Sequence, residues 1–392
     1  MNHRPSATTM DIVQKLVSFD TVSRNSNLAL IEWVRNYLNE SGVRSHLIFD
    51  RDGQKANLFA TIGPKGVPGI VLSGHTDVVP VDGQAWSTDP FAVTERDGRL
   101  VGRGTCDMKS FIAAVLGAVP AFVKADLATP VHLAFSYDEE VGCRGVPGIL
   151  EFIRENGVAP RLCIIGEPTE MKVIVAHKGN KRYRCAVHGH ECHSALADQG
   201  VNAVEAAAEL VAKLKSIARR KASKGPFDGA FSPPYTTVHT GLIHGGTALN
   251  IVPNHCFFEF EFRYIPGDDP LILLHELEQY ARTVLEPEMK AVNAGTGIEF
   301  QFKSQLAGLS TAIDTDAVTF ARALTTIEEV GKISFGTEGG LYQEAGIPSV
   351  VCGPGSIEQA HKPDEWIDAS QIAACESFLS RLLQAAIRPR YI

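Results

Sequence analysis

Acidic and imidazole side chains recur in this sequence at one kind of place, just past a short apolar run or at the head of an apolar helical pattern. His75 and Asp77 follow the run Ile70 to Leu72. Glu139 and Glu140 follow Val131 to Phe135, and Glu167 follows Leu162 to Ile165. His361 stands in the loop after Ser349 to Cys352. Asp107 directly precedes Met108, Phe111, Ile112, Val115, Leu116 and Val119, whose spacing puts them on one helix face. A lone His-x-Asp is a weak signal. The shared placement is a stronger one, because an open α/β sheet binds ligands beyond the carboxyl ends of its strands. These groups should therefore converge on one rim.

Two histidines with several carboxylates, and no cysteine in an equivalent position, suit catalytic zinc or a similar divalent ion. The set is too large for one zinc with an open position. It suits two ions about 3.5–4 Å apart that share a bridging carboxylate. Asp107 is the best bridge, with His75 and Glu167 on one ion and Glu140 and His361 on the other. Asp77 would orient His75. Adjacent glutamates on an extended chain point to opposite sides, so Glu140 can ligate while Glu139 serves as general base. That base would activate a water for attack on a polarised carbonyl and then deliver the proton to the leaving nitrogen.

The elements that must position these groups alternate. Helical spacing covers Thr9 to Phe19, and a second helix follows Asn27 as its cap and ends at Gly42. Strands are expected at 46–49, 57–62, 70–72, 131–135 and 162–165, interleaved with helices after Asp107 and across 148–156. Near Gly179 the pattern changes to strand-helix-strand-strand-helix-strand, the ferredoxin-like order. From about Gly308 the α/β pattern returns, with a helix over 317–324, a strand over 349–352 and a C-terminal helix over 370–386. The expected fold is α/β: a catalytic metal-binding domain with a mixed, largely parallel sheet, formed by residues 1–178 and 306–392. An α+β ferredoxin-like domain, residues 179–305, is inserted into it.

A chain of 392 residues fits two domains. A formal net charge of −8 argues against a general nucleic-acid binder, which needs a basic face. No uninterrupted apolar run approaches the roughly 20 residues of a membrane span. The polar start MNHRPSATTM carries no apolar export signal. The eight cysteines are scattered without a CxxC pair, as in a reduced cytoplasmic protein. Cys106 and Cys143 read as packing residues. No G-x-S-x-G elbow, G-x-G-x-x-G or Walker A sequence is present.

The motifs Ser73-Gly74-His75-Thr76-Asp77-Val78-Val79-Pro80, Gly102-Arg103-Gly104-Thr105-Cys106-Asp107-Met108-Lys109, Asp138-Glu139-Glu140, Gly166-Glu167-Pro168 and Ala360-His361-Lys362-Pro363 occur in this order. Together they resemble the dinuclear zinc hydrolases of the M20 peptidase family over nearly the whole chain. The resemblance implies His75, Asp107, Glu140, Glu167 and His361 as ligands of two zinc ions per subunit, with cobalt a possible substitute. It also implies Glu139 as base and Asp77 as a partner behind the ligands. The substrate would be a small N-acyl amino acid, and the inserted domain would act as a lid and join two subunits in a homodimer. His193, in Gly189-His190-Glu191-Cys192-His193-Ser194, matches a family histidine that stabilises the tetrahedral oxyanion from the partner subunit. Arg263 matches an arginine that grips the substrate carboxylate, with Asn250 beside it in role. Gly336-Thr337-Glu338-Gly339-Gly340 matches a turn near the metals, which makes Thr337 and Gly340 substrate-side candidates. Glu338 would meet a substrate ammonium or cap the helix that follows.

Overall fold

The computed structural model describes residues 4–388. Contacts divide the chain into two compact units: His177–Gly308 with Ile333–Gly336 form one, and the rest of the described chain forms the other.

The larger unit is built on a nine-stranded mixed sheet. Its four central strands run parallel in the order Val131–Ser136, Gly69–His75, Pro160–Pro168, Ser349–Gly353. Ala56–Ile62 and Ser45–Phe49 extend one side antiparallel. Gly69–His75 and Val131–Ser136 are buried at every position, as expected of strands covered on both faces. Their runs of Val, Leu and Ile are the sequence signature of that burial. The helix Ser110–Lys124 follows a kinked segment at Thr105–Lys109, where Asp107 and Met108 have non-helical backbone angles, and lies among the core residues. This helical stretch, Thr105–Lys124, is long and apolar enough to cross a membrane, but 72% of its apolar window is buried inside the protein. It serves as a core helix. The sequence-based expectation of no such stretch overlooked it because Asp107 and Lys109 interrupt its start.

Parallel strands place their carboxyl ends on one rim, and helix packing decides which residues fit there. A Cβ on Gly166 would lie 2.1 Å from the Phe111 ring. Only glycine therefore lets Pro160–Pro168 pass the core helix and present the next residue, Glu167.

The second unit holds a four-stranded antiparallel sheet ordered Thr237–Gly245, His255–Tyr264, Gly179–His188, Gly297–Leu306. In chain order this is second, third, first, fourth. With the helices Ala203–Lys224 and Pro270–Tyr280 it is the ferredoxin-like arrangement. Tyr183, Cys185, Val187, Phe258, Phe260 and Phe262 alternate along two strands and fill one core with Leu210, Leu214, Ile217 and Leu277.

Two local readings need correction. Asn27 precedes the helix Leu28–Glu40 but makes no side-chain cap. Its amide instead donates to the Ala56 carbonyl at 2.9 Å and to Thr76 Oγ1 at 2.9 Å, and accepts from the Ala56 N–H at 3.0 Å. Three buried tertiary partners outcompete one local N–H. The helix Ala203–Lys224 also extends into the segment 221–234, whose Gly, Pro and Ser content reads as a loop in the sequence.

Candidate metal centre

His75 is the last residue of Gly69–His75, and its Nε2 faces Asp107 Oδ1 at 3.0 Å and Glu167 Oε1 at 3.5 Å. His361, at φ 62° in the loop after Ser349–Gly353, directs Nε2 to Asp107 Oδ2 at 3.2 Å and Glu140 Oε1 at 3.1 Å. The two oxygens of Asp107 thus look to different histidines, the disposition a bridging carboxylate requires. Glu139 belongs to the same cluster, since ligand atoms of His75, Glu139 and Glu167 lie within 4.8 Å of one another, as do those of His75, Asp107 and Glu140. His75, Asp107, Glu139, Glu140, Glu167 and His361 are brought together at one strand-end rim.

Asp77 is buried, but it acts differently from expectation. The His75 Nδ1 hydrogen bond is to the Asp77 backbone carbonyl at 2.9 Å, while its carboxylate lies 3.6 Å away. That carboxylate accepts from Ser23 Oγ at 2.7 Å and from the backbone N–H groups of Glu139 at 3.0 Å and Glu140 at 3.3 Å. Asp77 therefore ties the strand end of His75 to the turn that carries both glutamates. The turn itself is not extended: Asp138 has φ 55°, and the Gly142 and Cys143 N–H groups donate to the Glu139 carbonyl. A tight turn, not strand alternation, separates the roles available to Glu139 and Glu140.

The electrostatics call for cations. Burial pushes the Glu167 and Glu139 carboxyls well above the usual range, with Asp107 the next cause for Glu167. His361 is raised to about 10 by hydrogen bonds to Asp107 and Glu140. Burial would lower His75, but Asp107 and Glu167 outweigh it and raise it well above its usual value. Among the described residues, no lysine or arginine ion pair compensates Asp107, Glu139, Glu140 or Glu167. A set of two imidazoles and several carboxylates, one of them facing both ways, fits two divalent ions.

Sequence reading missed the support beneath this rim. Glu365 is almost fully buried, and its Oε1 accepts from the backbone N–H of Gly104 at 3.0 Å, Cys106 at 2.9 Å and Asp107 at 3.0 Å. Its Oε2 pairs with Arg103 Nη1 at 2.7 Å. One carboxylate thereby organises the loop that presents Asp107. Its closeness to His361 in sequence was the available signal. Glu338 does not cap the helix Gly339–Glu344. It is buried beneath the strand ends, where it accepts from Ser73 Oγ at 2.8 Å and from Ser136 Oγ. Thr337 and Gly340 are likewise buried, the Thr337 hydroxyl accepting from the Gly339 N–H at 3.1 Å. Cys143 also differs from a mere packing residue, because its thiol meets the Glu139 carboxylate.

The remaining candidates lie in the second unit. His193 is exposed, its Nδ1 accepting from the Ala195 N–H at 3.1 Å, and its backbone bridges Ile251, which follows exposed Asn250. Arg263, at the end of His255–Tyr264, donates Nε to Glu261 at 2.6 Å and leaves much of its guanidinium exposed.

Comparison with known proteins agrees with the family resemblance that the motifs carry. The family model for peptidase family M20/M25/M40 matches residues 71–385. An acetylornithine deacetylase of Myxococcus xanthus is 35% identical over 376 residues, 94% of each chain. The fold matches that of the Bacillus cereus aminopeptidase PepT, with TM-score 0.75 and 19% identity over 98% of this chain and 99% of that one. It also matches the Bacillus subtilis YXEP protein, a dinuclear metal-binding peptidase from the M20 family, with TM-score 0.67 and 17% identity over 96% of each. The chain is a hydrolase and belongs to peptidase family M20/M25/M40.

Proposed function

We propose that this enzyme removes the acetyl group from Nα-acetyl-L-ornithine, giving L-ornithine and acetate, a step of arginine biosynthesis. The observation that carries the substrate is the 35% identity to an acetylornithine deacetylase across 94% of both chains. The stretches Phe19 to Asn27 and Cys352 to Ile357 strengthen it, since both resemble that enzyme.

His75, Asp107 and Glu167 would hold one zinc ion, and Asp107, Glu140 and His361 the second, with cobalt a possible substitute. Such ions, when bound, polarise the scissile carbonyl and lower the pKa of water. The chain's own residues then do the rest. Glu139 accepts the proton of the attacking water and returns it to the leaving amine nitrogen. Asp77 keeps the Glu139 turn in register with His75 through two N–H bonds. In the reading drawn from the family, the second unit serves as lid and dimerisation domain. His193, supplied by the partner subunit, steadies the oxyanion, while Arg263 and Asn250 receive the substrate carboxylate.

The test is kcat/KM of the zinc-loaded enzyme for Nα-acetyl-L-ornithine against N-succinyl-L,L-diaminopimelate. A large preference for the first supports the assignment. A preference for the second keeps the hydrolase and overturns the substrate.

A further inference from the structure

We propose that Cys143 is a positioning residue for Glu139, its thiol holding one carboxylate oxygen so that the other is presented to water. The inference rests on the reading of Glu139 as the base.

Three observations carry it. The Cys143 Sγ lies 3.3 Å from Glu139 Oε1, and among the described residues no other side chain donates to that carboxylate. Burial, and then the Glu139 charge, push the thiol well above its usual range, which keeps it as S–H, a donor. The backbone supplies the third. Cys143 sits at φ 53°, in the left-handed region where glycine is at ease and a side chain costs of the order of 1 kcal/mol. Local backbone preference would choose glycine there. A buried side chain kept at an unfavourable φ points to a role for the side chain itself.

The chemistry suits the role. Glu139 lies among the carboxylates of Glu140, Glu338 and Asp77. A donor to one oxygen fixes the orientation of the Glu139 carboxylate among these neighbours. A thiol is a weak donor, so it orients the carboxylate while withdrawing little of its basicity. The same turn closes the arrangement, since the Cys143 N–H donates to the Glu139 carbonyl at 2.9 Å. Base and anchor are thus fixed to one short loop.

The experiment uses the metal-loaded full chain and the N-acyl amino acid that the wild type hydrolyses fastest. Cys143→Gly removes the thiol and relieves the backbone, so folding is not the weak point. Cys143→Ser keeps a donor. Cys143→Gly should lower kcat about tenfold, the scale of one lost hydrogen bond to a charged group, with KM, metal content and Tm little changed. Cys143→Ser should recover most of that loss. In a Glu139→Gln background, Cys143→Gly should cost nothing further in kcat, because the base that the thiol positions is gone. Wild-type kcat in Cys143→Gly, an equal loss in both backgrounds, or a loss confined to KM or metal content would each overturn the proposal. Failure of the base assignment shows separately, as persistent activity in Glu139→Gln alone.

Discussion

Glu365→Gln removes one charge from beneath the loop that carries Asp107 and leaves its volume almost unchanged. In the native site one oxygen takes three backbone N–H bonds and the other takes Arg103, and both partners of that ion pair are 1% exposed. A glutamine can offer its single carbonyl oxygen to the three amides or to the guanidinium, but its amide nitrogen must then face a donor. Arg103 also remains buried with no countercharge. Breaking a buried pair from one side costs about 3–5 kcal/mol, a large share of the roughly 5–15 kcal/mol that holds a domain folded. Because the disturbed amides include that of Asp107 itself, metal affinity should fall by about 10–100-fold, as for lost partners of metal ligands. Denaturant unfolding of the chelated protein reads the first effect, and competition with a chelator reads the second. A variant within about 1 kcal/mol of wild type, with unchanged metal affinity, would refute the role given to Glu365.

Two further outcomes follow from the same geometry. Asp77→Asn should leave His75 oriented, because the Nδ1 partner is a backbone carbonyl, yet lower kcat by at least about tenfold, since an amide cannot accept from Ser23 and two N–H groups together. Unchanged kcat would contradict this. His132 is buried and depressed to about 4 by desolvation, against 6.5 when unfolded. With the folded pKa lower, the unfolded state binds more protons, so stability is lost as pH falls from about 6.5 toward 4. Between pH 7 and pH 5 this histidine should cost about 2 kcal/mol. A His132→Gln variant should therefore lose about that much less over the same interval, as read by denaturant midpoints; an identical loss would contradict the assignment.

The central rim was legible because strand runs and ligand motifs are local. Ile70 to Leu72 ends at His75, and Leu162 to Ile165 leads to Glu167, within a few residues each. The supporting groups were not legible, because their partners are remote. Arg103 and Glu365 lie 262 positions apart, and Glu338 meets Ser73 at a separation of 265. No periodicity links such residues; only the folded sheet does. Asn27 was misread for the same reason, since a local capping rule cannot anticipate Ala56 and Thr76. The strand Val173–His177 escaped because its apolar run, Val173 to Ala176, leads into none of the ligand motifs. The ferredoxin-like strand order was legible from element succession alone, because a split βαβ succession restricts the possible pairings.

The central claim is that this cluster divides its labour, with five residues holding metal and Glu139 moving the proton. Metal content and kcat of Glu139→Gln, measured on one preparation, test it most directly. The account predicts two divalent ions per chain, as in the wild type, with kcat lower by at least about 100-fold, the scale of general-base catalysis. Hydrolysis at a rate near wild type, or loss of a metal ion along with activity, would contradict it.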